Sequence, residues 1–382
     1  MASAAAAAAP PLPEFKGRPG WEFTDLTGLD LDAYEPAPPA AGGEPVLAVP
    51  RESAAGLGDA IVCTLAEAVE RHAELVEPHL GTVVAADDPF VARNAWQEGL
   101  FVYVPRGVRL DEPIARDAVT GEAGTALSHR TLIVLEEGAE AEVWEQYLSS
   151  EEGETLFNVV TEIVVGPNAT LRYVAAQGLS EKSWVFGTQR AVVDRDGALD
   201  WVALGFGSAR GKVRMETQLA GAGAGAKVTG AYAGRGRQHL DFDTTQEHAA
   251  PNTTSDLAFR GVLGGRSTAV WRGMIKVDPG AQQTDAFQES RNLLLSKRAH
   301  ADAIPGLEIE ANDVRCTHAA AIAQIDREQL FYLMSRGLRR EQATRLVIDG
   351  FLQALVERFA AGPLRESVAG ALERRLEAVL GS

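Results

Sequence analysis

Cys316 and His318 are the residues in this chain whose types and spacing could hold a metal. One residue separates them. On a β-strand successive side chains alternate faces, so a thiol and an imidazole two apart point the same way. Sulfur and imidazole together suit iron or zinc. His300, on an earlier extended segment, could add a second imidazole. Two ligands do not complete a site, so the same pair also reads as a packed thiol beside a hydrogen-bonded histidine at the end of a sheet. A second cluster lies in HLDFDTTQEH (239–248), where Asp241 and Asp243 alternate onto one face near Glu247. Paired carboxylates can do general acid–base work. They also serve as the polar outer face of a strand, which is the reading we favour here. GSARGKV (207–213) lacks the glycine spacing of a phosphate loop and has no Ser or Thr after Lys212, and AGAGAGA (220–226) precedes no helix. Nucleotide chemistry therefore finds no motif.

These candidates must be held by their elements. Residues 1–50, rich in Ala, Pro and Gly, predict a largely flexible segment, with Trp21 and Phe23 as aromatics that want burial. Residues 51–99 predict a helical region: one helix from Asp59 to Leu80, with Cys63 as a small core residue within it, and a second from Pro89 to Gln97. From 100 to 324 the texture is short alternating strands such as TLIVL, AEVWEQY, VVTEIVV and TAVWRGMIKV. The phrases EEGAEAEVW, VGPNATLRYV, DRDGALDWVAL and AGAGAKVTGA each run turn, small residue, strand. Their small residues Ala139, Ala169, Ala198 and Ala226 step by 30, 29 and 28, and Ala281 follows 55 residues on. A fixed period with no helices predicts stacked rungs, a β-solenoid or β-helix, ahead of a β-sandwich. Only the terminal rungs of such a stack leave strand edges open for another chain. Residues 325–382 return to helix. Asp326 and Gln329 predict a capping box for a helix through Ser335 that stops at Gly337. A second helix spans Arg340 to Phe359, with an apolar stripe including Leu346 and Phe351, and a third spans Arg365 to Leu380.

Composition narrows the function. A net charge of −17 argues against nucleic acid. No apolar run is long enough for a membrane helix. Two cysteines in different patterns, Cys63 and Cys316, exclude a disulfide framework and fit a reducing, cytoplasmic setting. The Ala/Pro tract at the start has no basic region and does not read as a signal peptide.

The run IPGLEIEANDVRCTHAAAIAQID followed by LFYLMSRG resembles the C-terminal signature of the SufB/SufD family of the SUF iron–sulfur cluster assembly system. FVYVPRGVRLDEPI (101–114), HAAPNTTSDLAFRGVL (248–263) and WEFTDL (21–26) are similar to further segments of that family. Within it, Ala299 stands where SufB-like chains carry a cysteine, and Ala319 where they carry a glutamate after the histidine. Both departures favour the SufD branch over a SufB-like cluster-building subunit, the main alternative; a carbohydrate-active β-helix enzyme is a more distant one. The resemblance implies a right-handed parallel β-helix with helical ends. It implies a non-catalytic scaffold that pairs with a SufB-like subunit through the C-terminal end of the β-helix and binds a SufC-like ATPase through its C-terminal helices. No cofactor is then held stably by the chain alone, and an iron–sulfur cluster passes through the complex. His318 becomes a candidate cluster ligand, Cys316 a weaker one. Leu330, Phe331, Tyr332, Arg336, Gly337, Leu346 and Phe351 become candidate ATPase contacts. Homodimerisation of the isolated chain, and a flavin in the complex, are left open.

Overall fold

A computed structural model of the chain describes residues 10–13, 20–48, 57–96 and 98–381. The rest of the Ala/Pro-rich start, residues 1–9, 14–19 and 49–56, lies outside the described residues, as does Gln97.

The repeat closes into a parallel β-solenoid of about 8 turns. Each turn gives one strand to each of two sheets. The first sheet runs in space from Glu98–Val104 through Thr125–Leu135, Leu156–Val165, Trp184–Val193, Arg210–Leu219, His239–His248 and Thr268–Val277 to His300–Ile309. The second runs from Ile114–Thr120 through five intervening strands to Asp285–Leu294 and Arg315–Gln324. Within each stack every strand pairs in parallel with the one before and after it. A β-sandwich of antiparallel sheets is thereby excluded.

Register explains the period. Ala139, Ala169, Gly197, Ala224 and Thr253 are equivalent, in steps of 30, 28, 27 and 29. Ala198 and Ala226 therefore sit one and two places past the true equivalents of Ala139. The sequence phase slipped because small residues flank the corner on both sides. The residue before each equivalent position is left-handed: Gly138, Asn168, Asp196, Gly223 and Asn252 have φ of 69°, 55°, 54°, 77° and 59°. Gly, Asn and Asp tolerate that conformation best. It turns the chain so that the next amide reaches back, as when Ala139 N–H donates to the Glu136 carbonyl at 3.1 Å.

Alternate residues point into the tube and fill it with large side chains. Trp201, Trp271, Tyr173, Phe157 and Phe259 are all fully buried. Burying each removes on the order of 150–250 Å² from water. The near end is capped. Ile61–Thr64 pairs antiparallel with Glu98–Val104, and α1 (Leu65–Arg71) and α2 (Ala73–Val76) follow it. The expected helix from Asp59 to Leu80 is thus a strand and two short helices. Ile-Val-Cys-Thr favours the pleat, and the Thr64 hydroxyl caps α1 by accepting from the Glu67 amide at 3.2 Å. Cys63 accordingly lies on the strand. The expected helix from Pro89 to Gln97 is a series of turns. Asp88 accepts the amides of Phe90 and Val91 and pairs with Arg214 at 2.9 Å, tying the segment to the sheet.

Residues 20–48 pack along the solenoid, where composition promised little packing. Trp21 stacks on Phe90, which stacks on Phe186. Leu47 is buried and its amide donates to Gln146 at 2.6 Å. Beyond the last rung come α3 (Arg327–Ser335), α4 (Arg340–Val356) and α5 (Pro363–Leu380). Asp326 caps α3 through the Glu328 amide rather than that of Gln329. The last two helices fold back over the outer face of the second sheet. Ile348, Leu352, Leu355, Leu372 and Leu376 pack there with Trp144, Val202 and Val262.

Candidate functional site

The far end of the solenoid differs from the near end. Among the described residues, His300–Ile309 and Arg315–Gln324 each have a strand partner on one side only. Among the described residues no strand or helix covers the last rung's inner face, whereas Leu57, Ala60 and Val62 pack against the inner core at the near end. Leu307, Ile309 and Ile322 are consequently 38%, 41% and 45% exposed. They sit one rung above inward-facing positions that are buried everywhere below: Ile309 pairs with Val277, and Ile322 with Asn292.

Cys316 and His318 are in this rung. Cys316 pairs with Ala286 and His318 with Gln288, and both lower residues are buried inward. The two candidates therefore share the tube-facing side of the strand, as alternation requires. They differ in surroundings. Cys316 is half-buried against Ile275, Val277, Ala286 and Val314. Burial, with Asp285 nearby, pushes its thiol up from the ordinary range. It is therefore mostly protonated at neutral pH, the weaker state for binding metal. His318 is exposed at the open mouth. His300 is not gathered with them. It lies on the outward side, where Nε2 meets Asp302 at 3.2 Å, while its neighbour Ala301 fills the tube. Ala299 is buried at the corner just before this strand. Among the described residues no group of three or more His, Cys, Asp or Glu could hold a metal ion.

The other clusters are pinned. Asp241 and Asp243 do share an outward face, but Lys212 lies 3.0 Å and 3.6 Å from them, Arg272 pairs with Asp243, and Thr24 donates to Asp241. All three residues of the Lys212 group are buried. Lys212, the lysine of GSARGKV, also lies under the Trp21 ring. These carboxylates are satisfied ion-pair partners with no access for a substrate.

The helical candidates divide in two. Phe331, Tyr332 and Leu346 are 75%, 56% and 51% exposed. Arg336 stacks over the Tyr332 ring at 5.2 Å, and Gly337 ends α3 with φ 95°. Leu330 is buried, and Phe351 is partly buried under Arg260. Most of the apolar stripe from Leu346 to Phe359 is thus already used against the solenoid, and the free apolar surface belongs to α3 and the start of α4.

Sequence reasoning missed a polar cluster inside the tube. His129 is fully buried, with Nε2 2.9 Å from Glu145 Oε1 and Nδ1 3.7 Å from Glu98. Tyr173 donates to Glu145 at 2.6 Å. Burial alone would lower the imidazole, but Glu145 and Glu98 outweigh it and raise it to about 9. The available signal was His129 and Glu145 at inward positions of otherwise apolar strands.

A parallel solenoid with helical ends, an open last rung and this Cys-x-His strand agrees with what comparison finds. Residues 118–351 match the SufBD core domain of SUF system FeS cluster assembly, and residues 51–115 match the SufBD protein N-terminal region. The chain belongs to the SufB/SufD family. It is 32% identical to the iron-sulfur cluster assembly protein SufD of Bacillus subtilis (strain 168), over 81% of this chain and 72% of that protein. It is 31% identical to an iron-sulfur cluster assembly SufBD family protein of Staphylococcus haemolyticus (strain JCSC1435), over 75% of this chain but only 62% of that protein. A Staphylococcus saprophyticus member of the family is 32% identical with the same coverage. Membership in the SufB/SufD family carries a role in iron–sulfur cluster assembly.

Proposed function

We propose that this chain is a non-catalytic scaffold subunit of a cytoplasmic SUF complex. It pairs end to end with a SufB-like subunit through the last rung of its solenoid, and an iron–sulfur cluster is built at that junction as cargo. The observation that carries this reading is the open rung itself. Two unpaired strand edges and exposed Leu307, Ile309 and Ile322 lie beside a tube-facing thiol and imidazole. A second solenoid of the same kind could continue both sheets and cover these side chains, as edge strands commonly do when they associate. His318 would supply a ligand from this side. One imidazole cannot hold a cluster, so the other ligands would come from the partner. Cys316, packed and protonated, would line the site.

In the same reading α3 and the start of α4, with Phe331, Tyr332 and Leu346, dock an ATPase subunit of the SufC kind. The pinned Lys212 and the missing phosphate loop fit a chain that leaves nucleotide turnover to that partner. Co-expression with SufB-like and SufC-like subunits tests the assembly. A three-component complex should co-purify, and Ile309→Asp with Ile322→Asp should release the SufB-like subunit while keeping the ATPase. Retention of the SufB-like subunit by that variant would refute end-to-end pairing.

A further inference from the structure

One corner of the solenoid collects cations that, among the described residues, make no ion pair. Arg237 and Arg266 occupy equivalent places on successive turns, because His239 pairs with Thr268 two residues on. Neighbouring turns lie about 4.8 Å apart. Arg210 is in register with His239 one turn earlier. Together with Thr268, Phe23 and Asp25 they line a depression of about 380 Å³. Among the described residues, none of the three arginines has a carboxylate within ion-pair distance, in a chain with 53 acidic residues. Arg210 instead rests on the Trp184 ring at 5.6 Å.

The one acid lining the depression is Asp25, one carboxylate against three guanidinium groups. Asp25 accepts the Thr27 amide at 2.9 Å, and this turn, with weaker attraction from Arg210 and His239, holds its carboxyl below the ordinary value. His239 adds a further donor. Burial, Arg210 and Lys212 favour its neutral form despite nearby Asp241 and Asp25. Its Nδ1 lies 2.7 Å from Thr268 Oγ1, and its buried Nε2 has no partner. If Thr268 donates to Nδ1, Nε2 carries the hydrogen and faces no acceptor. A concave surface lined by three guanidinium groups without an ion pair, with His239 beside them, calls for an anion with several acceptor oxygens. Groups spread over three turns exceed the reach of a single phosphate.

We propose that Arg210, Arg237, Arg266 and His239 form a binding site for the diphosphate group of a small molecule, separate from the open rung. An acidic peptide would need a longer track of contacts than this single depression offers. Titration calorimetry of the full chain with sodium pyrophosphate at low salt, with hexaglutamate in parallel, tests it. The expected result is saturable one-to-one pyrophosphate binding, weakened at least 10-fold in the Arg237→Gln/Arg266→Gln double variant. A double variant of equal charge change elsewhere, Arg109→Gln/Arg195→Gln, should bind as the parent does. Both replaced pairs are exposed, so unchanged melting temperatures would confirm intact folds. Unsaturable binding, equal loss in both double variants, or binding of hexaglutamate without pyrophosphate would overturn the site.

Discussion

Single residues set the chemistry of this chain, and their surroundings decide which of them can act. Cys316 and His318 were readable as a pair from their spacing, because strand alternation fixes a common face whatever the fold. Their inequality was not readable. Only the packing of Val277, Ala286 and Val314 shows that the thiol is covered while the imidazole stands at the mouth. His300 illustrates the converse: it is close in sequence to the site but falls on the outward side of its strand by parity. His129 gives a residue-scale prediction. Its folded value of about 9 lies above the ordinary 6.5 for histidine. The Glu145 and Glu98 contacts therefore contribute stability that is complete below about pH 6.5 and disappears as pH rises through about 9. Urea unfolding should show a loss of about 2 kcal/mol between pH 7 and pH 10. His129→Gln should flatten that profile; an unchanged slope in the variant would mean that other groups cause it.

At the scale of elements, the corners and the helices carry the fold. The glycine-rich AGAGAGA segment had no chemical reading that survived, and the structure shows its use. A Cβ on Gly221 would lie 1.9 Å from the Arg195 amide nitrogen of the turn below. Backbone cannot yield there as a flexible side chain could. Gly221→Ala should cost about 1–3 kcal/mol, read by thermal or urea unfolding. The solenoid was legible because each corner repeats a turn, a small residue and a strand, while its phase was not, since small residues stand on both sides of the corner. The N-terminal helices were misjudged for a related reason. Ile61, Leu65 and Val76 fit helical spacing, but β-branched Ile61 and Val62 lie against the edge of Glu98–Val104 and are drawn into its sheet. The C-terminal helices were legible as helices, but their stripe gave no sign of what it covers. Leu355 is fully buried against the solenoid and Leu346 is half exposed. Leu355→Ala should destabilise by about 2–5 kcal/mol. Leu346→Glu with Phe331→Glu should leave unfolding almost unchanged and weaken binding of a SufC-like ATPase at least tenfold in a pull-down titration. Full ATPase binding by that double variant would remove α3 and α4 from the interface.

For the whole molecule, the asymmetry of its ends matters most. The first rung is flanked by an antiparallel strand whose Val62 packs on the inner core, with α1 on the outer face of that sheet, and the long C-terminal helices fold back along the flank, so among the described residues the last rung is left bare. That geometry lies beyond sequence periodicity, which gives rungs but not which of them is capped. The central claim is that cluster assembly takes place at this bare rung and draws a ligand from His318. Cluster formation, followed by absorbance and iron content in the reconstituted complex with SufB-like and SufC-like subunits, is the most direct measurement. Parent, His318→Ala and Cys316→Ala should be compared at matched complex yield. The account predicts that His318→Ala assembles normally yet loses most cluster formation, while Cys316→Ala keeps most of it. Cluster formation by His318→Ala at the parent's rate would contradict the account and leave His318 a surface histidine.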